Sequence, residues 1–374
     1  MKYYIIAGEA SGDLHGSNLI KALKQQDANA EIRAWGGDMM EAAGATIVKH
    51  FRDLAFMGFT EVLMNLRTIF RNLSFCKKDI LEYQPDALIL IDYPGFNLRI
   101  AQWAKQQGLK IIYYISPQVW AWKENRVKQI KQCVDKMLVI LPFEKDFYAG
   151  WNYEVEYVGH PLVEVIDDFT KNASQQPDVL FSSDKVIALL PGSRKQEILK
   201  KLPVMLEVSK YFPDYTFVVA KAPGQTDAFY NDLLANYTNV KSVTGKTYAL
   251  LMHAKAALVT SGTATLETAL FAVPEVVCYK GSPISYEIAK RVIKIKYISL
   301  VNLIMDKLVV KELIQHDLTV ETLKKELTEL LTNEAKKKQL AEDYAALRNL
   351  LSQGGHASSN AAKAISSFLQ GAQS

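Results

Sequence analysis

The feature that most restricts this chain is a rhythm of short, continuous apolar runs separated by segments with helical periodicity. Runs of this kind occupy residues 3–7, 32–35, 87–91, 111–115, 137–140 and 156–158. Helical patterns lie between them at residues 17–25, 60–72, 98–107 and 124–132. A strand apolar on both faces has to be covered on both faces, and parallel neighbours need a connection long enough to be a helix. The pattern therefore predicts a parallel α/β sheet with helices on each side. A polar, aperiodic stretch at 167–184 interrupts it, and the rhythm restarts at 186–190, 216–220, 240–243, 256–259 and 276–279. This predicts two Rossmann-like, doubly wound domains facing a cleft. The first covers residues 1–166 and the second 185–352, with 167–184 as linker. A charged helical tail spans 320–344. Residues 353–374 hold a last small-residue helix, 358–369, that could return to the first domain.

Composition supports an ordinary two-domain globular protein: 374 residues, 49% hydrophobic and 22% charged. A net charge of +4 is too mild to argue for nucleic acid. The charge is uneven, however. From Arg99 to Lys145 nine Lys or Arg stand against three acids, a patch that suits phosphates or anionic lipid as well as solvated helix faces. Cys76, Cys133 and Cys278 are far apart and lack metal-ligand spacing, which fits a reducing compartment. The first residues run straight into a strand pattern, and no stretch of 18 apolar residues occurs. A cytoplasmic protein is expected, with peripheral contact to a membrane left open.

Chemistry concentrates in the loops after the strands. The first is Gly8-Glu9-Ala10-Ser11-Gly12-Asp13, leading through His15-Gly16 into a helix. Its glycines either let backbone approach a ligand or simply make a tight turn. Their spacing is not G-x-G-x-x-G, and no acid stands at the end of the second strand to hold a ribose, so a dinucleotide site fits poorly. Asp92 follows the run at 87–91 directly, where it is either a general base or a helix cap. In the second domain, Gly192-Ser193-Arg194 opens a helix after residues 186–190. Gly192 permits close approach, Ser193 can cap, and Arg194 can fork onto phosphate oxygens. Ser261-Gly262-Thr263, with Glu267 one turn on, opens another helix and offers donors to an anion and an acceptor to ribose hydroxyls. Two such loops without a metal-binding DxD point to a nucleotide-diphosphate site. Gly245-Lys246-Thr247 imitates the end of a P-loop, but Val240 stands where its first glycine is required. His160 reads as a structural hydrogen-bonding residue. The stripe at 54–71, with Phe56, Met57, Phe59, Leu63 and Phe70 beside Arg67 and Arg71, is either a core helix or one that dips into a lipid interface.

Taken together, AGEASGD (7–13), LAFMGFTEVL (54–63), IDYPGFN (91–97), YYISPQVWAWKENRV (113–127), LPFEKDFY (141–148), VGHP (158–161), LLPGSRKQE (189–197), TSGTATLE (260–267) and YISLVNLI (297–304) resemble the lipid-A-disaccharide synthase family, in that family's order. The resemblance implies a GT-B fold and an inverting, metal-independent glycosyl transfer, with no cofactor. The donor would be UDP-2,3-diacylglucosamine and the acceptor 2,3-diacylglucosamine 1-phosphate. The product would be the β-1,6 disaccharide 1-phosphate, released with UDP at the cytoplasmic face of an inner membrane. It implies Asp92 as the base, Glu9 and Ser11 on the acceptor side, and Gly192, Ser193, Arg194, Ser261, Gly262, Thr263, Glu267 and Asn302 around UDP. Phe56, Met57, Phe59, Leu63 and Phe70 would face lipid, and a homodimer is compatible.

The chain departs from the family at Val301, Asp306 and Leu308. Lys307 there could replace one positive charge as a point charge only. Gly95 stands where many members carry a second acid, which leaves Asp92 as the carboxylate of its loop. Two other readings compete. One is another UDP-sugar enzyme of this fold, an N-acetylglucosaminyltransferase or a UDP-sugar epimerase. The other is a nucleotide-binding or membrane-adaptor protein without turnover.

Overall fold

The computed structural model describes residues 1–54, 66–122, 124–173, 185–222, 224–282, 286, 296–352 and 355–371. The chain forms two compact units. One joins Met1–Pro161 to Ser352–Ser374, and the other is Leu162–Leu351.

The first unit holds a parallel sheet of seven strands among the described residues. These are β1 (Lys2–Ala7), β2 (Glu31–Gly36), β3 (Thr46–His50), β4 (Ala87–Ile91), β5 (Lys110–Tyr114), β6 (Lys136–Val139) and β7 (Glu156–Tyr157). Their order is β3-β2-β1-β4-β5-β6-β7. The apolar runs behave as the periodicity requires, since β4 is buried along its whole length and β1 is buried after Lys2. Alternate residues feed two separate cores. Tyr4 and Ile6 face one with Leu88, Leu90 and Tyr113. Tyr3, Ile5 and Ala7 face the other with Leu19, Ile20 and Leu23.

Hydrogen bonds seat the helices on this sheet. Tyr4 donates to Asp79 at 2.7 Å, Trp35 Nε1 donates to Tyr4 at 2.9 Å, and Arg33 grips Asp79 with two nitrogens. This joins β1 and β2 to helix Leu66–Tyr83 through a nearly dry network, where satisfied polar groups specify a unique packing. Asp13 acts in the same way. Its carboxylate accepts from the backbone N–H of Gly37, Met39 and Met40 and so caps helix Asp38–Ala42.

The second unit repeats the plan with β8 (Val186–Leu190), β9 (Thr216–Lys221), β10 (Val240–Thr244), β11 (Ala254–Thr260), β12 (Glu275–Tyr279) and β13 (Lys311–Ile314). The order is β10-β9-β8-β11-β12-β13, again all parallel. Each sheet therefore reverses direction once, between β1 and β4 and between β8 and β11. Such a switch point leaves a crevice outside the strands' carboxyl ends, because the two following helices lie on opposite faces.

Several expectations change. Strands β3 and β13 are additional to those read from the sequence. The helix expected from residue 17 begins at Ala10, so the loop after β1 is Gly8-Glu9 alone. Gly12 and Gly16 then serve packing rather than ligand approach. A Cβ on Gly12 would stand 3.1 Å from that of Ala7, and one on Gly16 would stand 2.6 Å from Met40 Sδ. The expected linker is helical through its first part, in helix Pro161–Ala173. There Asp167 pairs with Arg348 and Phe169 packs against Tyr248 and Phe271, all in the second unit. An amphipathic turn carrying charges on one face reads as polar linker in a one-dimensional scan. Residues 174–184 lie outside the described residues. The charged tail is two helices, Val320–Thr332 and Glu334–Leu351, parted at Asn333.

The last helix, Ala357–Gly371, packs on helix Ala10–Gln26. Its Ala361, Ala362 and Ile365 are buried in the same core as Leu19, Ile20 and Leu23. Asn360 Nδ2 also donates to the Val158 carbonyl at 3.1 Å. We expect Ile365→Ala to destabilise the first unit by about 3 kcal/mol, the cost of a truncated core side chain. Denaturant unfolding with a probe in the first unit measures this. A shift confined to the second unit would contradict the packing.

Candidate active site

In the first unit the switch point is flanked by the turn after β1 and the turn after β4. Register places Ala7 beside Ile91, so Gly8-Glu9 and Asp92-Tyr93 leave the sheet as neighbours. The second turn is strained, since Asp92 and Tyr93 have φ of 44° and 48°, both in the left-handed region that non-glycine residues avoid. Such strain persists only where surrounding bonds over-determine it. Here they do. Asn97, fully buried, donates Nδ2 to the Asp92 carbonyl at 2.7 Å and the Ile91 carbonyl at 3.2 Å. Tyr113, from β5, donates its hydroxyl to the same Asp92 carbonyl at 2.6 Å.

The turn throws the Tyr93 ring onto Gly8, where a Cβ would come within 2.4 Å of it. Glycine is therefore required at position 8, and through this contact the two turns are fitted together. Glu9 follows as an exposed N-cap position of helix Ala10–Gln26. The Asp92 carboxyl is pushed up to about 6, first by burial and then by the negative charge of Glu9. A proton acceptor tuned in this way sits close to working pH, where a general base is most effective. Ser11 is exposed on the first helical turn beyond Glu9.

The first unit also buries two histidines that act on one another. Burial drives His15 down to about 4 and His160 down to about 3, with each other's proximity adding to the effect on His160. Both are neutral at ordinary pH.

Two loops beyond β5 and β6 are tied to each other as well. The buried Glu144 accepts from Leu141 N–H at 3.0 Å, and Trp120 packs edge-on against Phe143. Burial pushes Glu144 up to about 7. These are the segments around SPQVWAW and LPFEK, so two sequence motifs form one structural cluster. Part of the basic patch is committed to structure: Lys105 pairs with Asp135, Lys136 with Glu156 at 2.6 Å, and Lys131 donates to the Trp151 carbonyl.

In the second unit, the turns after β8 and β11 flank the switch point, with Leu190 beside Val259. Gly192 has φ of +111°, and a Cβ there would stand 2.9 Å from Glu197 Oε2 and 3.5 Å from Thr260 Cγ2. Only glycine suits this position, which faces Thr260 at the end of β11. Arg194 is the N-cap residue of helix Lys195–Ser209, its side chain 71% exposed and 3.7 Å from Glu197. Ser193 is exposed beside it. Gly262, with φ of +138°, precedes helix Thr263–Leu270, whose first residue is exposed. Ser261 Oγ donates to the Ile298 carbonyl at 2.8 Å, which leaves its lone pairs for a ligand. Glu267 accepts from the Tyr248 hydroxyl at 2.9 Å, and burial raises its carboxyl.

Asn302 requires a correction. Its Nδ2 donates to the Val310 carbonyl and Glu312 Oε1, and its Oδ1 accepts from Val309 and Val310 N–H, all between 2.8 and 2.9 Å. Both donors and both lone pairs are used within the protein, and the residue is fully buried. Asn302 therefore builds the loop at 306–310 instead of holding a ligand. Glu312, which sequence reasoning passed over, completes the frame by accepting from Ile298 and Ser299 N–H. Lys307 pairs with Asp343 at 2.5 Å.

Of the apolar stripe, Phe56, Met57, Phe59 and Leu63 lie outside the described residues. Phe70 is 64% exposed on helix Leu66–Tyr83. Among the described residues no helix is long and apolar enough to cross a membrane.

Comparison with known proteins bears on the fold and the family. Solved structures with the same fold include a UDP-GlcNAc 2-epimerase from Neisseria meningitidis bound to UDP-GlcNAc. It has a TM-score of 0.69 and 13% identity, over 99% of this chain and 100% of that one. They also include CalG4, the calicheamicin glycosyltransferase, with a TM-score of 0.62 and 17% identity over 99% and 98%. These establish the two-domain GT-B fold. Sequence relatives are closer. The lipid-A-disaccharide synthase of Geobacter metallireducens is 39% identical over 357 residues, covering 94% of this chain and 93% of that protein. Lipid-A-disaccharide synthase 1 of Legionella pneumophila (strain Lens) is 38% identical over 358 residues, covering 93% and 92%. The family model described as lipid-A-disaccharide synthetase matches residues 3–366, and the chain belongs to that family of glycosyltransferases.

Proposed function

We propose that this enzyme transfers 2,3-diacylglucosamine from UDP to the 6-hydroxyl of 2,3-diacylglucosamine 1-phosphate, inverting the anomeric carbon. The observation that carries the reading is Asp92, a carboxylate at the switch point of the first sheet, tuned to about 6 on a clamped main chain. In the proposed step Asp92 takes the acceptor hydroxyl proton as that oxygen bonds to C1. The bond from C1 to the diphosphate breaks on the opposite face, and UDP leaves with the electron pair. Glu9 and Ser11 border the acceptor. In the second unit, Gly192, Ser193, Arg194, Ser261, Gly262 and Thr263 receive the diphosphate, and Glu267 a ribose hydroxyl. Backbone N–H groups and the Arg194 guanidinium meet the charge that grows on the leaving group, so the proposal requires no metal.

Such substrates carry acyl chains that stay in a bilayer. Peripheral binding at the cytoplasmic face of the inner membrane is part of the proposal, with Phe56, Met57, Phe59, Leu63 and Phe70 as the apolar contact. An N-acetylglucosaminyltransferase or epimerase reading predicts turnover of donors without acyl chains.

The test mixes the purified protein with both acylated sugars in EDTA and follows disaccharide and UDP. Absence of product would overturn the reading. Asp92→Asn is expected to lower turnover by roughly a thousandfold or more while UDP affinity is retained. A variant that still turns over would remove Asp92 as base. The base must be ionised, so kcat/KM is expected to rise with pH and level off above about 6. Glu9→Gln removes a charge that pushes Asp92 up and should move that rise to lower pH. A profile indifferent to both changes would contradict the assignment. Finally, Phe56→Ser combined with Phe59→Ser should release the protein from anionic vesicles while its thermal unfolding is unchanged. Undiminished vesicle binding would return the stripe to the protein interior.

A further inference from the structure

Helix Lys195–Ser209 buries Ile198, Lys201, Leu202 and Met205. That spacing is one helical face, turned to the core, and a lysine occupies it. Lys201 is only 3% exposed. A buried ammonium is costly unless something balances it. Its Nζ donates to Thr260 Oγ1. Thr260 is the last residue of β11 and directly precedes Ser261-Gly262-Thr263. One turn back along the same helix stands Glu197, whose charge acts on Lys201 and whose Oε2 closes on Gly192. Arg194 is 3.7 Å from the same carboxylate. A carboxylate at a loop proposed to receive a diphosphate is unfavourable by itself. Arg194 alone would only neutralise it.

We infer that Lys201 is a positioning and charge-balancing residue for the nucleotide diphosphate, a buried cation behind both loops that offsets Glu197 and leaves the site net positive. Of the groups set against the two loops, Arg194, Glu197 and Lys201 sum to one positive charge, and to zero without Lys201, while Lys195 and Lys200 on the same helix add positive charge that reaches solvent and is screened there. The inference rests on the nucleotide-site reading of this unit and adds to it a residue that touches no ligand. Burial keeps water and salt from screening the ammonium, so its field reaches the loops. Burial also depresses its proton affinity, which Glu197 partly restores.

The experiment compares UDP with uridine, because a charge effect weakens the first and spares the second. On the intact protein, titration calorimetry should show Lys201→Met losing about tenfold in UDP affinity with uridine affinity unchanged. Lys201→Arg should stay near wild type. Thr260→Val, which removes the hydrogen bond and keeps the charge, should leave the ratio of the two affinities intact. Glu197→Gln in the Lys201→Met background should restore UDP binding. Glu197→Gln alone should tighten UDP and spare uridine, which keeps the inference testable if Lys201→Met does not fold. Equal loss of UDP and uridine in Lys201→Met, an unchanged UDP affinity, or a silent Glu197→Gln would overturn it. Arg194→Ala is the control for the underlying reading. If that variant binds UDP as wild type does, the nucleotide site is elsewhere and the inference falls with it.

Discussion

A strand covered on both faces has no side chain to offer a substrate. In both units the central strands are enclosed in this way, β4 and β8 over their full length. Reactive groups can then stand only where strands end, and the crevice opens where strand order reverses. Everything proposed here for chemistry falls on the four turns at those two reversals, after β1, β4, β8 and β11, or on the helices those turns open. The constraint comes from burial and hydrogen bonding in the sheet, before any residue is chosen for its reactivity. It also explains how a UDP-GlcNAc 2-epimerase only 13% identical can share the frame.

Such a turn is useful only if it is stiff. Two successive left-handed residues at 92 and 93 cost free energy, on the order of 1–3 kcal/mol each. Asn97 and Tyr113 offset that cost by donating to one carbonyl from two directions. Burial then shifts the carboxyl. This has a second cost, because its folded value of about 6 lies above that of an unfolded aspartate. The folded state holds the proton more tightly, so Asp92 lowers stability as pH climbs between those two values. Burying this carboxyl therefore costs the chain stability at neutral pH.

Much of this was legible in the sequence. The two sheets, Asp92 at a strand end and the two glycine turns of the second unit follow from periodicity and loop chemistry. Strands β3 and β13 were not legible, because Thr46–His50 and Lys311–Ile314 are short, mixed-polarity edge strands without an apolar run. The helix boundary at Ala10 was misread because glycines serving close helix packing look like loop glycines. Asn302 was misassigned, since a motif cannot show that its amide is already saturated by residues 309–312. Asn97, Tyr113, Lys201 and Glu312 were invisible as site builders. Their roles depend on partners far along the chain, and Lys201 in a run of two lysines reads as solvated surface.

One feature of the architecture bears on how the molecule is made. The core of the first unit includes Ala361, Ala362 and Ile365. During synthesis those residues emerge after the whole second unit has left the ribosome. Until then Leu19, Ile20 and Leu23 have Tyr3, Ile5 and Ala7 of the sheet against them but lack the cover of Ala361, Ala362 and Ile365, so this core stays incomplete while the rest of the polypeptide is translated. Vectorial folding is thus reversed: the half made first is the half completed last, and a nascent chain stalled before residue 357 would be a natural client for chaperones that shield exposed aliphatic surface.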